Sequence, residues 1–513
     1  MNELNPEIEV YDNVIIGAGA GGLAAAKLVA LSQIHEKNAL FEQHDSPGGC
    51  AGYFARGHPK SLYDVGATQL VALHEGELQS KLFSIGFENA TSEWHFDKIE
   101  NIHFHFPNDK TVVSIDSESN VIVKSGELNY DEQHVLQKIF LFSNNVTRPL
   151  WESLGKIPKI PMYSFLELFS NIKIFVKIKN KLTILFLTFL NFNMLTKLMG
   201  LKNHHFKSKN VINSLLLDTV QNEMKKVPSL FGIMGLSILG YGIYRLQGGM
   251  RTYFYKLSLQ IQKKGLKISY GHELKSIQII DAGFLLDVYD KRHHINKKIL
   301  VKKNLFLNLT LWNILKIFNE KNSFTKKLQN KLLKQESWGA CALYGYFENK
   351  ESFPQLPWYH QIFSSHNEII ELNSSLYLSV YQAEENNHLR HFTATIHMDI
   401  KLYNEVLKTT YHEKLRERLE NALQIKVIES EFATPKTYEK YTLRSDGKVG
   451  GFITNSYNMI FPATPSEFKH PNKISKLYIV GDSVFPGQGV VSSSLSGIIA
   501  WERAFNQRFS NLK

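Results

Sequence analysis

The stretch Val10–Glu42, VYDNVIIGAGAGGLAAAKLVALSQIHEKNALFE, decides the fold. Val10 to Ile16 is apolar, rich in β-branched residues and ends at a glycine, the pattern of a short buried strand. Leu23 to Leu31 is dominated by Ala and Leu, the residues that cost a helix least. Asn38 to Glu42 reads as a second strand. Between the first strand and the helix lies Gly17-Ala18-Gly19-Ala20-Gly21-Gly22, and each spaced glycine has a job. Gly17 permits the tight turn, Gly19 leaves room for a pyrophosphate against the backbone, and Gly22 lets the helix pack closely on the strand. The helix N-terminus offers free N–H groups and a positive dipole end to phosphates. Glu42 falls twenty residues after Gly22, where a carboxylate can accept from ribose hydroxyls. It would also repel a 2′-phosphate there. This is a dinucleotide-binding unit, and by itself it does not separate NAD from FAD.

Two further segments extend the reading. Ser46 to Phe54 (SPGGCAGYF) follows the second strand, and Gly48 and Gly49 free its backbone to pass close to a cofactor. Tyr63 to Gln69 (YDVGATQ) comes next. Near the other end, Lys476 to Val480 is a short buried strand that runs into GDSVFPGQGV, Gly481 to Val490. A helix is expected from near Ser492 to Trp501. An acid directly after a buried strand can bind a polyol hydroxyl, and N–H groups at the following helix start can face an anionic ring edge.

Taken together, PGGCAGYFARG (Pro47–Gly57), YDVGATQ and GDSVFPGQGVVSSSLSG (Gly481–Gly497) resemble the FAD-binding segments of the phytoene desaturase and carotenoid isomerase family, within the amine-oxidase-like flavoproteins, its isomerase branch most. Leu246-Gln247-Gly248-Gly249-Met250, and Thr434 to Tyr438 with Gly450-Gly451, resemble it more loosely. The resemblance implies an α/β architecture: a Rossmann-like FAD-binding domain with a discontinuous mixed α+β substrate domain. It implies that Gly17, Gly19 and Gly22 cradle the FAD pyrophosphate and that Glu42 holds the adenosine ribose. Gly481 and Asp482 would sit at the pyrophosphate–ribityl end, and Gly48 and Gly49 would line the cofactor. Gly489 and Val490 would approach the flavin ring through backbone, and the Leu274 backbone would meet the adenine edge. Many amine-oxidase-like relatives carry Arg after the glycine pair. Here it is Cys50, which removes a cation near the phosphates and argues against the amine-oxidase branch. Thr68, Gln69 and Arg444 neighbour the ring by motif alone, and no side chain stands out as a catalytic acid or base.

The middle of the chain carries fewer signals. Ile102–Phe106 and Thr111–Ile115 form a hairpin signature around Pro107-Asn108-Asp109-Lys110. Asn129 to Leu154 is expected to be helical, with Asp131 and Glu132 where the dipole favours them, before Pro158 and Pro161 break the pattern. Thr252–Lys264 reads as a helix ended by Gly265. Leu266–Ile280, Gly283–Val288 and Ile299–Leu309 read as strands, and Val406–Leu423 as a helix. The organisation is thus discontinuous: residues 1–95, 246–330 and 446–513 form the FAD-binding domain, and 96–245 and 331–445 the substrate domain.

Charge is concentrated within a basic and apolar helical region, residues 163–217. The chain holds 59 Lys+Arg against 48 Asp+Glu, a formal net charge of +11. Between Glu167 and Asp218 there is no acid, while eight lysines fall there. Lys173, Lys177 and Lys181 are four apart and share a helix face. Ile174, Ile178, Leu182, Leu185 and Phe189 lie along an adjacent one, and Ile184–Leu190, apolar all round, is expected to be buried. One reading is an anionic membrane surface contact leading to an apolar tunnel; the other is a solvated face of a core helix. The uncharged run Leu182–Thr196 is 15 residues, short of the roughly 20 that span a bilayer.

Composition excludes other classes. At 43% hydrophobic and 21% charged the chain is ordinary globular protein. Two cysteines, Cys50 and Cys341, cannot build a disulfide scaffold or a cysteine metal site. The histidines, with His103 and His105 on one strand face and pairs at His204-His205 and His293-His294, lack zinc spacing, so no metal is expected. The basic segment has no Arg and no exposed stacking aromatics, so nucleic acid is not a partner. Without a secretory signal at the N-terminus, the expected location is cytoplasmic, with a peripheral membrane contact. The expected function is an FAD-dependent oxidoreductase acting on a long apolar polyene or isoprenoid lipid, by isomerisation or desaturation. The alternatives are a retinol saturase-like reductase and a non-catalytic prenyl-lipid carrier on the same fold.

Overall fold

The computed structural model describes residues 8–56, 61–87, 95–154, 181–318, 322–333, 338–354, 358–365, 375–381, 388–450 and 467–512. Gly57, Pro158, Pro161, Ile174, Ile178, Gly451 and the lysines Lys173 and Lys177 lie outside them.

The opening unit is built from backbone proximity. The strand Ile8–Ile16 pairs in parallel with Asn38–Glu42 on one side and with Ile295–Leu307 on the other. The helix Ala20–Ser32 follows the glycine turn, and residues Gly21 to Ala30 are all buried. Only small side chains allow such a helix to lie between the sheet and a second helix, Val490–Phe505, at backbone distance. A Cβ on Gly22 would stand 1.9 Å from the Gly17 carbonyl oxygen, and one on Gly497 would stand 2.1 Å from that of Gly21. Asn13 is fully buried in the first strand. Its side chain donates to Asn38 Oδ1 and accepts from Asn304 Nδ2, both at 2.7 Å, so the polar group is satisfied across three strands.

The cofactor-type sheet has eight strands. Lys267–Tyr270 pairs with Asn38–Glu42, and Lys476–Ile479 pairs with the C-terminal end of Ile295–Leu307. Leu266–Ile280, expected as one strand, is two. Gly271, at φ +75°, turns the chain, so Lys267–Tyr270 pairs with Asn38–Glu42 and His272–Ile280 pairs antiparallel with Gly283–Asp290. The left-handed region reached there favours glycine. The C-terminal helix begins at Val490, two residues earlier than expected, directly after Gly489.

A second eight-stranded sheet has the order Val427–Ala433, Trp338–Glu348, Leu389–Asp399, Leu376–Val380, Trp358–Ile362, Asn101–Phe106, Thr111–Asp116 and Val121–Ser125. The expected hairpin is its Asn101–Phe106/Thr111–Asp116 pair. Helices Tyr130–Trp151, Phe206–Val220 and Ser229–Leu236 pack together beside it. Asn129 caps the first of these by accepting from the Asp131 N–H. The fold is therefore α/β, a Rossmann-like layer joined to a mixed α+β part. No helix among the described residues is long and apolar enough to cross a membrane.

Arg245 joins the two parts. From the short strand Tyr244–Leu246 it donates to Asp64 Oδ2 at 2.8 Å, to the Thr68 carbonyl at 3.1 Å and to Ser379 Oγ at 3.0 Å. Asp64 Oδ1 in turn accepts from the Met250 N–H, at the start of helix Met250–Lys263. Burial works against the Arg245 charge, but Asp64 outweighs it, with Tyr381 and Tyr359 adding to the effect, and its pKa is raised.

One expectation is overturned. In helix Lys181–Phe189, Ile184 and Leu187 are buried, but Leu185, Phe186 and Phe189 are 47%, 60% and 67% exposed. The all-apolar run means burial only where a partner covers every side, and here one side is open.

Three histidines meet inside the second sheet. His105 Nε2 lies 2.8 Å from His360 Nδ1, and the His103 ring lies 5.2 Å from that of His360. Burial, with positive neighbours adding to it, pushes His103 and His105 down to about 4 and His360 well below its usual value. Unfolded, each would titrate near 6.5. Below that pH the unfolded chain binds protons that the folded chain refuses, so stability falls as pH drops from about 6.5 towards 4, by about 1.4 kcal/mol per pH unit for each proton. Urea midpoints measured across that window should show this slope, and His105→Gln/His360→Gln should flatten it.

Candidate functional site

A cavity of about 920 Å³ lies among the described residues. It is lined by Gly17, Gly19, Glu42, Gly48, Gly49, Leu274, Gly481, Asp482, Gly489 and Val490. Gly22 does not line it. Its place is under the turn, against Gly17, so it serves packing rather than direct contact.

At one end the Glu42 carboxylate accepts from the Ala18 N–H at 2.5 Å and from the His44 N–H at 2.9 Å. His44 Nδ1 is 2.8 Å from the same Oε1, and its ring stacks on Tyr441. Burial opposes protonation of His44, but Glu42 and the Tyr441 carbonyl outweigh it and raise its pKa. Phe41 touches His272, which brings the start of strand His272–Ile280, and with it Leu274, to this end. The β-pairing slips by one residue between Leu274 and Ser276.

In the middle, two helix N-termini open on the cavity. Helices Ala20–Ser32 and Val490–Phe505 start after Gly19 and Gly489, with no side-chain cap and no acid in either first turn. Their uncapped N–H groups and dipoles favour an anion. The space is shaped for close backbone approach: around a Cβ on Gly489 nothing would lie within 4 Å, while Asn308 fits between Gly19 and Gly481. Asn308 directly follows the strand Ile295–Leu307 and donates its N–H to the Ile16 carbonyl. The residues present therefore suit a dinucleotide with its phosphates at the helix starts. Asn308 was not legible as a site residue, because a strand-end Asn carries no local signature.

Cys50 lines the cavity directly after the Gly48-Gly49 pair, and a cation stands near it. Arg444 donates to Asp482 Oδ2 at 2.7 Å, from the segment after helix Pro435–Thr442. Both side chains are mostly buried. Burial raises the Cys50 thiol pKa and the nearby Arg444 opposes that rise. Arg444 is itself held charged: burial works against it, and Asp482 and Cys50 more than compensate. The cleft thus holds a cation from a distant segment of the chain, paired with Asp482.

At the far end the wall turns apolar: Leu150, Trp151, Leu154, Ile184, Leu230, Phe231, Met234 and Ile238. Helix Lys181–Phe189 contributes Ile184 and Thr188 to this wall while its other side is exposed. Thr68 and Gln69 also line the cavity, and Gln69 accepts from Tyr377 at 3.4 Å. A polar group that the sequence did not single out faces the same space: Asp218, with His397 and Gln221.

Residues 15–84 match the model of the NAD(P)-binding Rossmann-like domain family. The chain is 25% identical over 519 residues to the chloroplastic prolycopene isomerase of Daucus carota, covering 96% of this chain and 80% of that protein. It is 24% identical to the 1-hydroxycarotenoid 3,4-desaturase of Flavobacterium sp. (strain P99-3), over 95% of this chain and 97% of that one. Among solved structures it resembles a putrescine oxidase bound to putrescine, with a TM-score of 0.61 at 11% identity, covering 98% and 99% of the two chains. That last likeness concerns the fold. The family match and the fold fit a flavin or nucleotide cofactor.

Replacing Arg444 by Ala leaves Asp482 uncompensated against an anionic ligand. A charge-assisted hydrogen bond is worth about 1.5–3 kcal/mol, so dinucleotide affinity should fall by about tenfold or more. Arg444→Lys should lose less. Parallel fluorescence titrations with FAD and NAD measure this.

Proposed function

We propose that this chain, a homologue of carotenoid isomerases and desaturases along nearly its whole length, is an FAD-dependent oxidoreductase acting on a long apolar polyene, with isomerisation as its reaction. The observation that carries the reading is the extent of one cavity among the described residues. It joins a dinucleotide cradle to an apolar chamber without a break. A compact polar substrate would leave that chamber's aromatic and aliphatic wall unfilled, whereas a polyene matches it.

In this reading Gly17, Gly19 and the start of helix Ala20–Ser32 receive the pyrophosphate, Glu42 the adenosine ribose, and Asp482 the ribityl side. Gly489 and Val490 offer backbone to the ring. The bound flavin supplies electron-pair exchange with a conjugated system. The protein's own residues bind and orient the polyene. Leu150, Trp151, Phe231 and Met234 exclude water along its length, and the Arg245–Asp64 pair fixes the segment that carries Thr68 and Gln69.

Purified protein should carry one FAD per chain, identified by absorbance and by what heat releases, and should change the cis/trans composition of a cis-polyene in lipid vesicles. A chain that takes up no FAD even on reconstitution overturns the reading and leaves the lipid-carrier alternative.

The substrate of such an enzyme resides in lipid, and one surface suits contact with it. Leu182, Leu185, Phe186 and Phe189 are exposed on the helix whose other side lines the apolar chamber, in a region with no acid from Ser170 to Leu217. Burying such side chains in an interface gains about 25 cal/mol per Å², and an exposed lysine such as Lys197 favours anionic headgroups. Flotation with anionic vesicles should therefore recover the protein, and Phe186→Asp/Phe189→Asp should lower that recovery several-fold. Equal recovery of the two proteins would remove this surface from the account.

A further inference from the structure

We propose that Asp218 is the proton-transferring residue of the apolar chamber, held there by Gln361 with His397 beside it. The inference rests on the polyene reading above and deepens it.

Asp218 occupies the last turn of helix Phe206–Val220. One carboxylate oxygen, Oδ2, accepts from Gln361 Nε2. The other, Oδ1, lies 3.6 Å from His397 Nδ1, with the two side chains 14% and 16% exposed. Both residues line the cavity, so the residual exposure has a space to face. Around them the chamber is apolar, through Leu230, Phe231 and Met234.

The electrostatic surroundings can be stated element by element. Helix Ser229–Leu236, packed on the Asp218 helix, carries no titratable side chain. Helix Tyr130–Trp151 meets it at the far end, where Glu132 accepts from the Ser208 N–H. The sheet side presents His397, Gln361 and Tyr377. Among the described residues no lysine or arginine makes an ion pair with Asp218. A carboxylate so placed has little to stabilise its charge. Burial pushes Asp218 up to about 7, with the Gln361 donor opposing, and burial holds His397 down to about 4. Near neutral pH the carboxyl is therefore shared between its two forms beside a neutral imidazole, as proton transfer requires.

The position is also fixed relative to the segment assigned to the ring. Three residues on, Gln221 Oε1 accepts from Gln488 Nε2, and the Gln221 carbonyl accepts from Trp338 Nε1 at 3.0 Å. Gly450 closes over this pair: a Cβ there would sit 1.9 Å from both Gln221 Oε1 and Gln488 Nε2. The helix end that carries Asp218 is thereby tied to the turn preceding Gly489 and Val490.

The step balances with no added reactant. The Asp218 O–H proton passes to one polyene carbon. The new C–H bond takes a π pair, and the O–H pair stays on the carboxylate. The remaining cation is delocalised along the chain, and the neighbouring bond, now with reduced double-bond character, rotates. The carboxylate then removes a proton from the same carbon, which restores the double bond and the acid.

The experiment uses FAD-loaded wild type, Asp218→Asn and His397→Gln, with a cis-polyene in vesicles made in D2O. Bound FAD per chain reports whether each variant is folded. The expected result is vinylic deuterium in the wild-type product and about 100-fold slower turnover without deuterium for Asp218→Asn. Because the acid form is required, wild-type kcat/KM should be full below and decline above a pH of about 7, and His397→Gln should shift that profile. An Asp218→Asn enzyme with wild-type rate and pH profile overturns the inference and leaves the polyene reading intact. So does a wild-type kcat/KM that stays flat on both sides of a pH of about 7, which decides the matter even if Asp218→Asn fails to bind FAD. Wild type that binds FAD but leaves every cis-polyene unchanged overturns the polyene reading, and the inference with it.

Discussion

The first helix lies between a strand and another helix at backbone contact, and the rest of the site follows from that. No side chain separates Gly22 from the Gly17 carbonyl, or Gly497 from that of Gly21. Overpacking a buried contact by even one methyl group typically costs about 1–3 kcal/mol, and here the Cβ would meet backbone that cannot swing away. Because helices Ala20–Ser32 and Val490–Phe505 approach so closely, their N-termini open on one cavity. Neither is capped by a side chain. The same glycines thus set the packing and create the anion-binding character of the space.

Buried charge then ties distant segments to that frame. Arg245 is held by Asp64 and reaches Thr68 and Ser379, so the segment after the second strand cannot move independently of the second sheet. Arg444 and Asp482 form a similar pair inside the cofactor cleft. Removing one member of a buried pair leaves the other uncompensated, which is far costlier than losing an exposed pair. The cleft therefore holds a buried cation, Arg444, paired with Asp482 beside Cys50.

Along the chamber, chemistry and access are divided between two helices. Phe206–Val220 brings a carboxyl to a largely apolar wall, and Lys181–Phe189 closes the wall with Ile184 and Thr188 while leaving aromatic side chains outside. Apolar side chains grouped on an exposed helix face favour a contact that removes them from water. Its place beside the chamber couples the exposed face to the cavity through the thickness of a single helix.

Much of the cofactor side was legible in the sequence because its signals are local. Strand, glycine turn, helix and acid fall within Val10–Glu42, and the second acid falls directly after its strand, at Asp482. Spacing along the chain fixes such geometry, since a turn or a helix start is set by residues only a few positions apart. Tertiary structure alone decided the rest. Asp218 and His397 lie on a helix and a strand far apart in the chain, and neither differs locally from a surface residue. Their chemistry arises from the burial and apolar walls that the assembled fold places around them. Asn308, Gln221 and the Arg444–Asp482 pairing are of the same kind. Leu185, Phe186 and Phe189 show the complementary limit: hydropathy records that a side chain disfavours water, and only the packing of neighbouring elements determines which of its sides is covered.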